Sequence, residues 1–504
     1  MRRIVISAVL LIAINVLALS AELFEPKHCT GVYVGKNLTA DGSVLLGQLG
    51  DESSSHWIEV IPHRFWEANA VLPIGVTIEA NFPGFMMEIP QLAETNKYLT
   101  VRYSEYKGFP PPLENGGLNE FGVSVVDVWS PSRDELREMT PKPQRGLSYS
   151  DEARVMMERA KSAREAVEII GRLINQYGHA TFGGNVHLIA DAEEGWIIEE
   201  FAGGQGLWAA KSLGPDDILV IRPGHIGDFP LEYKDDPDHM GSDNLISFAL
   251  EQGWYDPESG RPFNISETYE SDYDKRQAGH QRRVSAVIQA EQVLRARAPN
   301  ITLRDVMEIL RNPQFLNRAT KYGQVAQLRK DMPNELSVLW IAMGPPGASV
   351  YIPYYLGISS VPLEFGKHRY LTKGEALKME LARERQGQET TTYAYRLFDK
   401  LFMLSDEHYD EYHPEVIATF HAFEDQLISR QEDIESIALQ LLHAGKPDLA
   451  QRFLTYYCET EALKGLRLAR TLADSIEMRT RLRFGIRSLP SLRENSPDLK
   501  AVFY

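Results

Sequence analysis

The stretch Cys29-Thr30-Gly31-Val32-Tyr33-Val34, followed after Asp41-Gly42 by Ser43-Val44-Leu45-Leu46-Gly47, decides how this chain is read. Residues 29–34 and 43–47 are short β-prone runs. The segment between them ends in Asp-Gly, a strong turn dipeptide, so the spacing predicts a hairpin. Cys29 stands at the mouth of its first strand.

The residues upstream give Cys29 a second meaning. Arg2-Arg3 precedes an apolar run over 4–19, and Ala18-Leu19-Ser20-Ala21 supplies small residues at its end. A basic start, an apolar core and small residues predict a secretory signal peptide over 1–20, cut after Ser20 or Ala21. The run is shorter than the roughly 20 residues of a membrane span, although an uncleaved anchor stays open. Lipid attachment at Cys29 is disfavoured, because Pro26-Lys27-His28 stands where small residues are needed. A short propeptide over 21–28 then separates the signal from Cys29. The mature protein is expected to be secreted or periplasmic, with no stable membrane span.

The chain has 504 residues and a formal net charge of −17, which argues against nucleic acid, whose phosphates need a Lys/Arg-rich surface. Only two cysteines occur, Cys29 and Cys458, too few for a disulfide framework, though one long-range pair stays open. Cys458, in Thr455-Tyr456-Tyr457-Cys458, reads as a packed small hydrophobe on a helix.

Beyond the hairpin, residues 122–126 read as a strand. Residues 151–177 repeat apolar positions at helical spacing, with Ser148 and Asp151 resembling a capping box and Gly178 at the stop. Strands follow over 185–190, 196–201 and 207–211. Strands, a helical layer and strands again predict an α+β layered domain. Beyond about residue 370 the chain reads as helical. There Val416, Phe420, Phe423, Leu427, Ile434, Ile437 and Leu441 form one core-facing stripe, opened by Pro414 and closed by Gly445.

Few chemistries have a motif here. Gly146-Leu147-Ser148-Tyr149-Ser150 fails the nucleophile-elbow pattern at its last position. No phosphate loop, His-Glu-x-x-His helix or Cys-x-x-Cys pair is present. The group Asp406, Glu407, His408, Asp410, Glu411 and His413 matches no standard metal spacing and reads as a solvated acidic loop. Cys29 differs by position. Cleavage just before it would give one residue both a thiol and an α-amine, whose ordinary pKa of about 7.7–8.0 lets it take the thiol proton.

Cys29-Thr30, Gly35-Lys36, Thr39, Asp41-Gly42-Ser43 and Asp51 together closely resemble the start of the Ntn-hydrolase dipeptidase family. That family includes dipeptidase A-type enzymes and secernins and is related to choloylglycine hydrolases. Leu118-Asn119-Glu120-Phe121-Gly122-Val123 resembles its Asn-Glu-x-Gly-Val element. Glu158-Arg159-Ala160 with Ala163-Arg164-Glu165-Ala166, Ala190-Asp191 to Trp196, Trp208-Ala209-Ala210, 340–346 and 351–355 follow in family order. The resemblance implies an αββα sandwich over 29–370, with a helical C-terminal region over 371–504. It implies hydrolysis of dipeptides or small peptides through a thioester on Cys29, with no cofactor and no metal. It assigns Asp51 to orient the α-amine, and Asn119 to shape either the pocket or its own strand turn.

Two departures stand out. Gln48 replaces a family Arg shortly before Asp51, and Arg222 or Pro223 stands where related enzymes carry an oxyanion-binding Asn. Gln48 can donate hydrogen bonds but brings no charge. Two alternatives therefore stay open: an amidase acting on N-acyl amino acids, and a secreted peptide-binding protein that has lost catalysis. Homo-oligomerisation is also left open.

Overall fold

The computed structural model describes residues 29–485 except 53, 105, 273–279, 318 and 368–392. The expected signal peptide over 1–20, the propeptide over 21–28 and the domain boundary at 370 lie outside the described residues. The opening hairpin forms as read: Thr30–Val34 pairs antiparallel with Val44–Gly50. At its connection Gly42 takes φ 74°, while Asp41 Oδ1 accepts hydrogen bonds from the backbone and hydroxyl of Ser43.

The hairpin lies inside a six-stranded antiparallel sheet. In spatial order its strands are Ile218–Ile221, Thr30–Val34, Val44–Gly50, Tyr322–Leu328, Val338–Ala342 and Tyr351–Tyr355. A second sheet, of nine strands, runs from His239–Gly241 through Trp208–Leu213, Gly195–Glu200, Asn185–Ala190, Ser124–Val128, Gly117–Asn119 and Tyr98–Tyr103 to His56–Ile61, with Leu113–Glu114 beside Tyr98–Tyr103. The two sheets face each other through Thr30–Val34 and Val44–Gly50 on one side and Ser124–Val128 and Asn185–Ala190 on the other. Helix Leu303–Leu310 covers the outer face of the first sheet, and helices Tyr149–Arg159 and Ala163–Tyr177 cover that of the second.

Glycines fix the spacing between layers. A Cβ on Gly31 would stand 2.8 Å from Leu188 Cδ1, so Gly31 faces the second sheet, whereas a Cβ on Gly47 would meet Val306 and Leu310 of the outer helix. Alternation along a strand then turns Cys29 and Gly31 inward together. Cross-strand pairing puts Gln48 opposite Gly31 and Gln324 opposite Gln48, so both glutamines share that inner face.

Several expected elements change on folding. The helix over 151–177 is two, because Ser162 accepts a hydrogen bond from the Glu165 backbone and caps a second start. The Ser148–Asp151 capping box is present. The stripe opened by Pro414 is likewise two helices, Tyr409–Ser429 and Gln431–His443, with Pro414 inside the first. Their shared boundary at Arg430 rotates the faces, and Ile437 is 44% exposed. The acidic loop over 406–413 is instead helical apart from a break at His408. Cys458 is fully buried in helix Pro447–Phe484, its thiol pushed up to about 12 by burial, and both cysteines are free. That helix packs on strand Tyr351–Tyr355, so the C-terminal helices share one core with the first sheet.

Candidate functional site

Cys29 lies at the head of the inner strand, partly buried, with Sγ 3.8 Å from Glu52 Oε1. The same carboxylate oxygen accepts a 2.6 Å hydrogen bond from Asn115 Nδ2. Asn115 Nδ2 also lies 3.1 Å from the Tyr322 hydroxyl, and that hydroxyl donates to Gln48 Oε1 at 3.2 Å. Gln48 Oε1 further accepts from Gln324 Nε2 at 3.2 Å. Its Nε2 crosses to the second sheet and donates to Asp127, at 2.7 Å to the carbonyl and 3.1 Å to Oδ1. A continuous polar chain thus runs from the thiol through Glu52, Asn115, Tyr322 and Gln48 to Asp127.

Asp51 is fixed on the other side. Its Oδ1 accepts from Thr320 Oγ1 at 2.6 Å, and its Oδ2 accepts from Asn317 Nδ2. Burial raises its carboxyl to about 6 against the lowering charge of Arg222. Arg222 is buried at the end of strand Ile218–Ile221, where it donates to Thr30 Oγ1 at 2.6 Å and stacks over Phe315. Gln48 brings no charge of its own, but a cation does stand beside Asp51. The cation comes from the strand end where an Asn was missed.

Burial is the largest influence on the Cys29 thiol and pushes it up, followed by the charges of Glu52, Asp127 and Asp51; the Asp51 backbone N–H opposes them. The surroundings thus hold the sulfur protonated. Asp127 itself is raised to about 8, mainly by burial. His56, fully buried, stacks on Tyr103 at 5.4 Å between centroids and brings Nε2 to 3.5 Å from Glu52 Oε2.

Of the residues singled out in the sequence, Cys29, Asp51 and Gln48 meet here. Asn119 does not. Its Nδ2 donates to the Met157 and Ala160 carbonyls, and its Oδ1 accepts from the Phe121 and Val123 backbones. All of its capacity goes to the hairpin turn and the end of a helix, so of its two readings the strand turn is the one realised. Gln48 likewise has its amide occupied by Asp127. Sequence reasoning missed Glu52, Asn115, Tyr322 and Asp127. Glu52 adjoins Asp51 in the chain and was within reach; the others arrive from distant parts of the chain, Asp127 and Tyr322 from strands and Asn115 from the connection between two.

The model of Peptidase family C69 matches residues 28–305. The chain is similar to a probable dipeptidase B of Streptococcus pyogenes serotype M3, 26% identical over 380 residues, covering 66% of this chain and 72% of that one. It is also similar to a probable dipeptidase of Salmonella dublin, 26% identical over 370 residues, covering 66% of this chain and 81% of the other. A conjugated bile acid hydrolase from Clostridium perfringens, solved as a mutant, aligns at 13% identity with a TM-score of 0.32, covering 62% of this chain and 89% of that one.

Proposed function

The chain belongs to peptidase family C69, and on that basis we propose that it is an exported cysteine dipeptidase of the N-terminal-nucleophile class, an αββα sandwich with Cys29 as nucleophile. In the full chain the nitrogen of Cys29 is part of its peptide bond with His28. With no base at that nitrogen, burial and nearby carboxylates keep the thiol protonated. Removal of residues 1–28 frees the α-amine, which takes the thiol proton across a single residue.

The sulfur then attacks the substrate carbonyl. Asn115, whose Nδ2 donates both to the Glu52 oxygen that Sγ faces and to the Tyr322 hydroxyl, holds that carboxylate in place beside the sulfur. Collapse of the tetrahedral intermediate expels the amine and leaves a thioester. Water activated by the α-amine releases the acid. Asp51, with Arg222 behind it, orients the α-amine. The acidic surroundings of Cys29 favour a substrate with a free ammonium beside its reacting carbonyl, hence a dipeptide over an N-acyl amino acid.

The observation that carries this reading is the meeting of Cys29 with Asp51 and Glu52 on the inner face. Replacing Cys29 with Ala should abolish dipeptide hydrolysis while leaving the circular dichroism spectrum intact. Mass spectrometry of the active protein should find Cys29 as its first residue. Full turnover by protein that still begins upstream would overturn the mechanism.

A further inference from the structure

On the outer, helix-covered face of the second sheet, Asp127 pairs across the ladder with His187, and Asn185 pairs with Glu200. Cross-strand partners share a face, so these side chains project together. His187 Nδ1 lies 2.9 Å from Glu200 Oε1. Helix Tyr149–Arg159 brings Glu152 to the group. One ligand atom from each of Glu152, His187 and Glu200 lies within 4.8 Å of the others. All three residues are completely buried.

The group is under-satisfied. His179 Nδ1 is 2.8 Å from Glu152 Oε1, and His187 meets Glu200 Oε1. Glu152 Oε2, Glu200 Oε2 and Asn185 Oδ1 remain buried with no hydrogen-bond partner among the described residues. A buried carboxylate oxygen facing nothing is costly, and buried charges are normally paired or bound to a metal. The three orphaned oxygens come from two neighbouring strands and the helix above them.

We propose that Glu152, His187 and Glu200 form a structural site for a divalent first-row transition ion, with zinc as the test ion. Two carboxylates neutralise the dication. The imidazole favours such an ion over magnesium or calcium, which prefer all-oxygen sites. His179, bonded to Glu152, acts as the outer partner that orients a ligating carboxylate. The ion takes no part in the chemistry at Cys29. It ties helix Tyr149–Arg159 to strands Asn185–Ala190 and Gly195–Glu200, behind the aspartate that holds Gln48.

The experiment uses tag-free full-length protein carrying Cys29→Ala, so that the reactive thiol takes up no zinc. Protein stripped with EDTA is titrated with zinc chloride, and in parallel with manganese chloride, while metal content and thermal midpoint are followed. One ion per chain and a raised midpoint are expected with either metal. Glu200→Gln, of the same shape, should weaken uptake at least about tenfold. His187→Gln serves if that variant folds poorly. No uptake by the parent protein would overturn the site and leave a cluster held together by shared protons. Uptake unchanged in a folded variant would overturn it equally, by placing the ion elsewhere.

Discussion

Asp51 and Glu52 are neighbours in the chain with different environments. Asp51 is closed in by Thr320, Asn317 and the charge of Arg222, whereas Glu52 faces the thiol directly. The Asp51 carboxyl sits at about 6, above the ordinary carboxylate value of about 3.9, so the folded state holds its proton more tightly than the unfolded chain does. Its contribution to stability is therefore complete below about pH 4 and is lost as pH rises through about 6, a span worth about 3 kcal/mol at most. Against the Cys29→Ala parent, Asp51→Asn should flatten the fall in stability between pH 4 and 6 in urea denaturation. Arg222→Met should extend that fall to higher pH, because it removes a charge that lowers the folded-state carboxyl. Glu52 bears on specificity. A charge-assisted contact with the substrate ammonium is worth about 1.5–3 kcal/mol. Glu52→Gln should therefore lower kcat/KM for free dipeptides about 10- to 100-fold and leave N-acetylated dipeptides nearly unchanged. Equal losses on both would remove Glu52 from recognition.

At the scale of strands, the site depends on how closely backbones approach. Gly50 lies opposite Tyr322, and a Cβ there would stand 2.0 Å from Tyr322 Cε1. The absence of that methyl lets the ring lie flat enough for its hydroxyl to reach both Gln48 and Asn115. Gly50→Ala should cost about 1–3 kcal/mol by overpacking and lower kcat as well. Tyr322→Phe, which removes the hydroxyl without a clash, should lower kcat with a smaller loss of stability; denaturant midpoints and steady-state kinetics separate the two. The same dependence on register explains what the sequence could convey. Asp41-Gly42 between β-prone runs announced the hairpin, and the position of Cys29 and Asp51 around it made both legible. The apolar spacing of 151–177 continues across Ala160-Lys161-Ser162, so the second cap at Ser162 stayed hidden. Asn115, Tyr322 and Asp127 join the polar chain that begins at Cys29 only through contacts between segments far apart in the chain, which leave no local pattern. Asn119 was legible as a motif, but a motif does not tell whether an amide points at a substrate or at its own turn.

At the scale of the molecule, the first sheet is finished by strands beyond residue 305, and those strands are held from outside by the C-terminal helices. Glu424, fully buried on helix Tyr409–Ser429, is the joint. Its Oε1 accepts from Arg311 at 2.5 Å and from the Tyr351 backbone at 2.8 Å, and its Oε2 accepts from Arg311 at 3.0 Å. Arg311 follows helix Leu303–Leu310 and is itself buried, stacking over Tyr351 and donating to the Pro346 and Ser349 carbonyls. One carboxylate therefore locks the outer helix, the last strand and the helical region to one another. Removing it leaves the buried guanidinium with only the partly exposed Glu308, 3.2 Å from its Nη1, as counter-charge, and breaking such a buried pair typically costs about 3–5 kcal/mol. Glu424→Ala should thus lower the denaturation midpoint sharply and, through strand Tyr322–Leu328, which helix Leu303–Leu310 covers, loosen Tyr322 and Gln324 around Gln48. Glu424→Gln keeps an acceptor for the Tyr351 backbone and should fall between the two. If Glu424→Ala unfolds at the parent's midpoint, the helical region is an appendage, and the catalytic sheet stands without it.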